Sequence, residues 1–244
     1  VILGGTGNRI LDEDTTSNLD GNDSFIGAGR GNRIDGADDC AIVAGVSNNI
    51  TFTSDTAIMA GVSNRIQNST TRSFIGAGQN HFIDKGQNSF LGAGNNNHIE
   101  FCYDSAITVG INNLITGTRY SSINAGKDNI INSGSGSAIL AGSGNLVRQS
   151  DHSSVVAGID NSVTGTDNSS VLAGSGNIVS GSYSSSVGAG KNNLLDLSTD
   201  SFINAGVDNQ INNSTGSLIG VGSGNSIDAS ETSTIIGGDN NQVQ

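Results

Sequence analysis

A glycine that recurs at a fixed interval constrains this chain more than any other feature of its sequence. Fifteen such glycines run from Gly5 to Gly238, and twelve of the fourteen steps between them are sixteen residues long. The step from Gly61 to Gly78 is one residue longer, and the first step, from Gly5 to Gly29, is longer by half a period. A fixed period of this length is typical of solenoids, in which each repeat is one coil that packs on its neighbours.

Two aliphatic positions define the fold of each coil. One lies three residues before the glycine and one lies five residues after it, as Ile139 and Val147 do around Gly142. Polar and apolar residues alternate around both positions, which predicts two short strands, and the abundance of Gly and β-branched residues argues against helix. We therefore predict an all-β fold, a single parallel β-solenoid over residues 1–244, with about fifteen two-strand β-arch coils of sixteen residues and no helices.

An asparagine stands three residues after the glycine in fourteen of the fifteen coils, and His81 is the exception. Stacked amides hydrogen-bond from one layer to the next in cross-β structures, so we predict a structural Asn ladder along the coils. The predicted ladder consists of Asn32, Asn48, Asn64, Asn97, Asn113, Asn129, Asn145, Asn161, Asn177, Asn193, Asn209 and Asn225.

The charge and the hydropathy of the sequence argue against two classes of partner, nucleic acids and the membrane interior. The net charge is −12, and the ten Lys and Arg residues are scattered along the chain, so no basic face for nucleic acid is expected. No apolar run approaches the roughly 18 residues of a membrane-spanning helix, so no membrane insertion is expected.

The outward positions of the first strand predict a second buried face. A large residue is paired with a small one across the strand, as Phe25 is with Gly27 and Leu140 is with Ala138. This volume compensation is typical of a packed layer, and a second copy of the chain would cover it; the alternative is a mildly apolar surface without a role. The outward positions of the second strand, among them Arg9 and Asp35, predict a solvated face. The predicted self-assembly face consists of Phe25, Val43, Met59, Phe74, Phe90, Leu140, Val156, Leu172, Phe202 and Leu218.

The first and last coils fit the repeat and carry no polar cap. Open ends of a β-stack invite pairing with another chain, which predicts head-to-tail association, although a segment of a longer repeat protein would look the same. The predicted terminal contacts are Ile2, Gly4, Gly5, Ile235, Gly237 and Gly238.

We predict no catalytic residues, no metal site and no cofactor. The three histidines, His81, His98 and His152, lie on different coils without metal-ligand spacing. Residues 11–23 form an acidic excursion between coils 1 and 2, whose carboxylates could hold calcium but are better explained as a solvated loop.

The sequence contains candidate sites for two kinds of modification, disulfide formation and glycosylation. Cys40 and Cys102 lie too far apart along the stack to pair with each other, so they are free thiols or form intermolecular disulfides. Candidate glycosylation sites, each in an N-x-Ser/Thr sequon, are Asn22, Asn68, Asn168 and Asn213.

The repeat S-x-I-x-A-G-x-x-N-x-I, complete at residues 201–211, resembles the left-handed parallel β-roll heads of trimeric autotransporter adhesins and related phage-fibre segments. That resemblance implies a trimer packed along the first strand. In composition, rich in Gly and Asn, the chain also resembles amyloid-like sheath or filament proteins of archaeal and bacterial surfaces, which implies a polymer.

These observations favour an extracellular, cell-surface structural protein whose partner is itself and which is not an enzyme. It is expected to assemble into a filament, ring or sheath, with glycans as further candidate partners. The alternative is a shaft or head segment of a trimeric adhesin or phage tail fibre.

Overall fold

A computed structural model describes residues 1–11 and 23–244, which lie in two compact units, Val1–Tyr120 and Ser121–Gln244. Each unit is a parallel β-solenoid with two parallel sheets. Together the units contain about fourteen coils with a period of about sixteen residues, and no helix occurs among the described residues. The predicted fold class is confirmed.

Most strands are two or three residues long, because the coil then turns again; β10 and β12 each have six residues. Those of the first unit are β1 (Arg9–Leu11), β2 (Phe25–Ile26), β3 (Arg33–Asp35), β4 (Ala41–Ile42), β5 (Asn49–Thr51), β6 (Ala57–Ile58), β7 (Arg65–Gln67), β8 (Phe74–Ile75), β9 (Phe82–Asp84), β10 (Phe90–Asn95), β11 (His98–Glu100), β12 (Ala106–Ile111) and β13 (Leu114–Thr116).

Those of the second unit are β14 (Ser122–Ile123), β15 (Ile130–Asn132), β16 (Ala138–Ile139), β17 (Leu146–Arg148), β18 (Ser154–Val155), β19 (Ser162–Thr164), β20 (Ser170–Val171), β21 (Ile178–Ser180), β22 (Ser186–Val187), β23 (Leu194–Asp196), β24 (Phe202–Ile203), β25 (Gln210–Asn212), β26 (Leu218–Ile219), β27 (Ser226–Asp228), β28 (Thr234–Ile235) and β29 (Gln242–Val243).

In each unit the even-numbered strands form sheet A and the odd-numbered strands form sheet B. The register follows the repeat, so that Ile139 pairs with Val155 in sheet A and Val147 pairs with Val163 in sheet B. These aliphatic side chains are fully or almost fully buried and form the core between the two sheets. Stacking gives each coil the buried apolar layer that it lacks alone.

The coil has more corners than the sequence predicts. Besides the two strands it makes isolated bridges one and nine residues after the glycine, as in the pairs Ile159–Ser175 and Asp151–Asp167. Residues in the left-handed conformation separate these four segments, for example Asp160 at φ 54°. Asp, Asn and Gly recur at these corners because they tolerate that conformation better than most other residues do.

The first coil differs from the others in its strands. The first coil contributes β1 to sheet B, but its part of sheet A is only a single bridge from Ile2 to Ile26. The backbone around Ile2 still pairs with the next coil, because the Leu3 N–H donates to the Ile26 carbonyl oxygen at 3.0 Å and the Ile26 N–H donates to the Val1 carbonyl oxygen at 2.8 Å.

The acidic excursion falls on the gap in the described residues. Asp12, Glu13, Asp14 and Asp20 lie outside the described residues, as does the sequon at Asn22.

Candidate functional site

The Asn ladder is an internal element of the fold. Asn177 shows its geometry: Nδ2 donates to the carbonyl oxygens of Ala173 and Gly190 at 3.1 and 3.0 Å and to Oδ1 of Asn161 at 3.1 Å. Its own Oδ1 accepts from the backbone N–H of Asn193 at 3.1 Å. Each amide therefore ties its own coil to the coils on both sides.

Burial keeps the ladder away from any ligand at the surface. All twelve predicted ladder residues are at most 1% exposed, namely Asn32, Asn48, Asn64, Asn97, Asn113, Asn129, Asn145, Asn161, Asn177, Asn193, Asn209 and Asn225. A buried amide with all its groups bonded stabilises and registers the stack and offers no free group for chemistry.

The repeated glycine makes room for the ladder. Gly174 has φ +105°, and a Cβ there would overlap the Gly190 carbonyl oxygen and lie 2.6 Å from Nδ2 of Asn177. Glycine and asparagine recur together because the amide folds back over the glycine backbone.

Two further ladders of hydroxyl groups run inside the coils, and neither was predicted from the sequence as a ladder. One lies five residues before the glycine, where the N–H groups of Ser169 and Ser185 donate to the hydroxyls of Ser153 and Ser169 at 3.2 Å. The other lies eight residues after it, where Ser214 N–H donates to the Ser198 hydroxyl at 3.2 Å. The signal in the sequence is the recurrence of Ser and Thr at these two positions; we name them the hydroxyl ladders.

Both cysteines occupy hydroxyl-ladder positions. Cys40 and Cys102 are 1% and 0% exposed, and their thiols donate to the carbonyl oxygens of Asp38 and Glu100, each at 2.9 Å. Burial raises the pKa of the Cys102 thiol, against the hydrogen bonds of Thr118 that lower it. An intermolecular disulfide at either residue would therefore require its coil to open first.

The thiols should react slowly in the native protein. We expect both cysteines to react with a thiol reagent at least about 100-fold more slowly than in urea, because burial hides both sulfur atoms and, at Cys102, also disfavours the reactive thiolate. Timed reaction with an aromatic disulfide reagent measures this. Rapid labelling of the native protein, or conversion of the monomer to a disulfide-linked dimer in air, would contradict the buried placement.

The predicted self-assembly face lies on the outer side of sheet A and carries apolar side chains in both units. Five members are exposed, among them Leu140 and Leu172 at 40% and 45%. The other five are half-buried. The exposed members are Val43, Met59, Phe90, Leu140 and Leu172, and the half-buried members are Phe25, Phe74, Val156, Phe202 and Leu218.

Contacts explain the pairing of large with small residues on this face. A Cβ on Gly92 would lie 3.2 Å from the Phe90 ring, and one on Gly27 would lie 3.3 Å from the Phe25 ring. Each ring therefore lies over its glycine neighbour. The rings of Phe74 and Phe90 stack in parallel, with centroids 5.8 Å apart.

The outer side of sheet B differs between the units. In the first unit Arg9, Arg33 and Arg65 are exposed there, as predicted for a solvated face, but Asp35 is buried and paired with the Arg33 guanidinium.

In the second unit the prediction of a solvated face on sheet B is wrong at one position of the coil. Four residues after the glycine, two pairs of adjacent coils carry aliphatic side chains, Ile130 with Leu146 and Ile178 with Leu194, and Ser162 separates the two pairs. Ile178 is 40% exposed and the others are half-buried. These aliphatic residues could have been found in the sequence by comparing the position four residues after the glycine from coil to coil.

The terminal residues divide between core and surface. Ile2 is exposed and Ile235 is buried, while Gly4, Gly5, Gly237 and Gly238 follow the repeat. Strands β1 and β29 each pair with one neighbour only in the described stack, as does β28 in sheet A. Such strand edges can pair with another chain.

The sequons lie in different surroundings. Asn168 and Asn213 are exposed, left-handed corner residues. Asn68 is half-buried and its Nδ2 donates to Asp84 Oδ1 at 2.7 Å, so a glycan there would replace that hydrogen bond.

Neither a metal-binding cluster of three or more His, Cys, Asp or Glu residues nor a helix able to cross a membrane is found in the described part of the chain.

Known families and curated proteins offer no match to this chain. Among solved structures, a protein from Desulfovibrio desulfuricans G20 described as an acetyltransferase aligns with 84% of this chain, at 8% identity and a TM-score of 0.14. This chain spans 62% of that protein's length. A score this low carries no argument about fold or function.

Proposed function

We propose that this protein is an extracellular structural protein, not an enzyme, that associates with copies of itself into a filament, ring or sheath. The observation that carries the proposal is a set of aliphatic side chains at one outer position of sheet A in successive coils, Val43 and Met59 in the first unit and Leu140, Val156 and Leu172 in the second, of which all but Val156 are exposed.

The period of the column favours a second copy as the partner. Leu140 and Leu172 lie two coils apart, with Val156 between them, and parallel strands stack about 4.8 Å apart. Only a surface with the same spacing can match such a column along its whole length, and the same column on another copy has that spacing. Contiguous exposed apolar surface of this kind commonly marks an interaction site.

Edge pairing would be a second kind of contact. Among the described residues, β1, β28 and β29 each pair on one side only, and a further coil with the same hydrogen-bonding pattern could pair there. Edge pairing would extend the assembly along the coil axis, and face pairing would join copies side by side.

Composition supports an extracellular setting. The coils are built from Gly, Asn, Ser and Thr, with only 13% charged residues and a net charge of −12. The exposed sequons at Asn168 and Asn213 would suit a glycoprotein of the cell surface, and the stacked amides and hydroxyls would suit a functional amyloid.

A trimeric adhesin or phage-fibre segment is the second candidate. The stacked rings of Phe74 and Phe90 favour it, because aromatic residues on one face could pack around a threefold axis. A discrete trimer that does not grow with concentration would distinguish this candidate from the polymer.

Charge placed on the sheet A face should block self-association. We expect the double variant Leu140→Lys/Leu172→Lys to sediment as a monomer at concentrations where the wild type forms larger species, because each lysine would have to be desolvated at the contact.

The matched control is Ser143→Lys/Ser175→Lys. It adds the same charge to the same two coils, in a column that already holds Lys127 and Lys191. Control and wild type should associate alike in sedimentation velocity. A monomeric wild type, or equal loss of association in both variants, would refute the proposed role of this face.

A further inference from the structure

His81 takes the place of asparagine in the ladder of the first unit. It is 1% exposed, and its backbone N–H donates to Oδ1 of Asn64 at 2.9 Å, as in the other coils. Towards the next coil, the backbone N–H of Asn97 donates to Nδ1 of the His81 ring at 3.2 Å. The ring nitrogen thus replaces an amide oxygen as the acceptor that joins the two coils.

The second ring nitrogen lacks the bonds that an amide makes. Nδ2 of Asn64 donates to the Gly78 carbonyl oxygen at 3.1 Å, whereas Nε2 of His81 is buried without a hydrogen-bond partner among the described residues. Since Nδ1 accepts a hydrogen bond, it carries no proton, and the neutral ring has its hydrogen on Nε2.

We propose that His81 makes the contact between its coil and the next coil acid-sensitive. A second proton on the ring must go to Nδ1, where it would oppose the N–H of Asn97 and remove the acceptor for that group. The other ladder contacts use amide oxygens, which do not titrate near neutral pH. Acid therefore opens the stack at one defined place.

Ionisable groups of both signs lie on the strands packed around His81. His81 lines a shallow depression of about 260 Å³ on the sheet B side, formed by Ser63, Arg65, Asn80, His81, Phe82 and His98. The ionisable groups on the packed strands are Arg65 on β7, His98 and Glu100 on β11, and Asp84 on β9.

Burial lowers the pKa of His81 below its usual value of 6.5, and the neighbouring His98 lowers it further. Burial also lowers the pKa of His98, while Glu100 acts in the opposite direction. For a histidine whose pKa is lowered in the closed state, the opened state takes up the proton first as the pH falls below 6.5. The closed contact is thus favoured at neutral pH and is lost progressively on acidification.

Amide hydrogen exchange at Asn97 tests the proposal. If His81 stays neutral in the closed contact, protection of the Asn97 N–H should fall by up to about 30-fold between about pH 7.5 and about pH 5, after correction for intrinsic exchange. The Asn48 N–H, which donates to Oδ1 of Asn32 at 3.0 Å, serves as the internal reference and should keep its protection.

Two variants decide the cause. His81→Asn restores the ladder residue of the other coils and should fold with protection at Asn97 that no longer depends on pH. His98→Gln removes the neighbouring histidine and should leave most of the acid-dependent loss in place. The proposal is overturned if wild-type Asn97 keeps its protection at about pH 5, if His81→Asn shows the same loss, or if the loss disappears only in His98→Gln.

Discussion

In a Gly142→Ala variant, we expect the free energy of unfolding to fall by about 4 kcal/mol. Gly142 has φ +113°, which strains any residue with a Cβ, and the added carbon would overlap the Gly158 carbonyl oxygen of the next coil. It would also lie 2.5 Å from Nδ2 of Asn145 and so displace the ladder amide. Neither atom can move freely, because each belongs to the bonded stack. Urea unfolding followed by circular dichroism measures the loss.

Gly165→Ala is the matched control. Gly165 also has a positive φ, +64°, but a Cβ there would have the Gly181 nitrogen as its nearest neighbour, at 3.9 Å. The substitution adds the strain of a left-handed alanine without an overlap, and we expect a loss of about 1 kcal/mol. Equal losses at the two glycines would show that conformational strain alone, and not the close approach of coils, fixes the repeated glycine.

The second large effect is expected for Asn177→Leu, which keeps the approximate size of the side chain but removes its polar atoms. The Asn193 N–H loses its acceptor, whereas the Gly190 carbonyl oxygen loses the amide donor but keeps the hydrogen bond from the Ser175 N–H. A buried group left without a partner costs about 1–3 kcal/mol, and each of the other lost hydrogen bonds costs about 1 kcal/mol, so we expect a total loss of about 4 kcal/mol in urea unfolding.

Asn132→Leu is the corresponding control. Asn132 lies on the outer side of sheet B, where its Oδ1 accepts from the Ser133 hydroxyl and no ladder passes. We expect a change within about 0.5 kcal/mol. A ladder role for Asn177 would be contradicted if both variants unfolded at the wild-type urea concentration.

The sequence predicts the parts of this fold that repeat strictly. Ile139 and Val147 stand at fixed distances from Gly142, and so do their equivalents in every coil, which makes strand, register and core readable from the spacing alone. The single bridge at Ile2 in place of a strand was not predictable in that way, because Ile2 stands at the same distance from Gly5 as its equivalents stand from their glycines.

The less regular positions were harder to interpret. Cys40 and Cys102 looked unrelated in sequence, since one lies before and the other after a repeated glycine, yet both fill buried hydroxyl-ladder positions. The aliphatic pair that includes Ile178 was hidden because the corresponding position holds arginine in early coils. The cysteines suggested reactive thiols, and the arginines of the early coils suggested a solvated face. In both cases the position in the coil, and not the type of residue, determines the surroundings of the side chain.

Electron microscopy of the wild-type protein across a range of concentrations tests the central claim, that this solenoid is a subunit of a larger assembly. The proposed function predicts filaments, rings or sheets that grow as the concentration rises and that are absent from Leu140→Lys/Leu172→Lys. Particles that remain single chains at every concentration would contradict it.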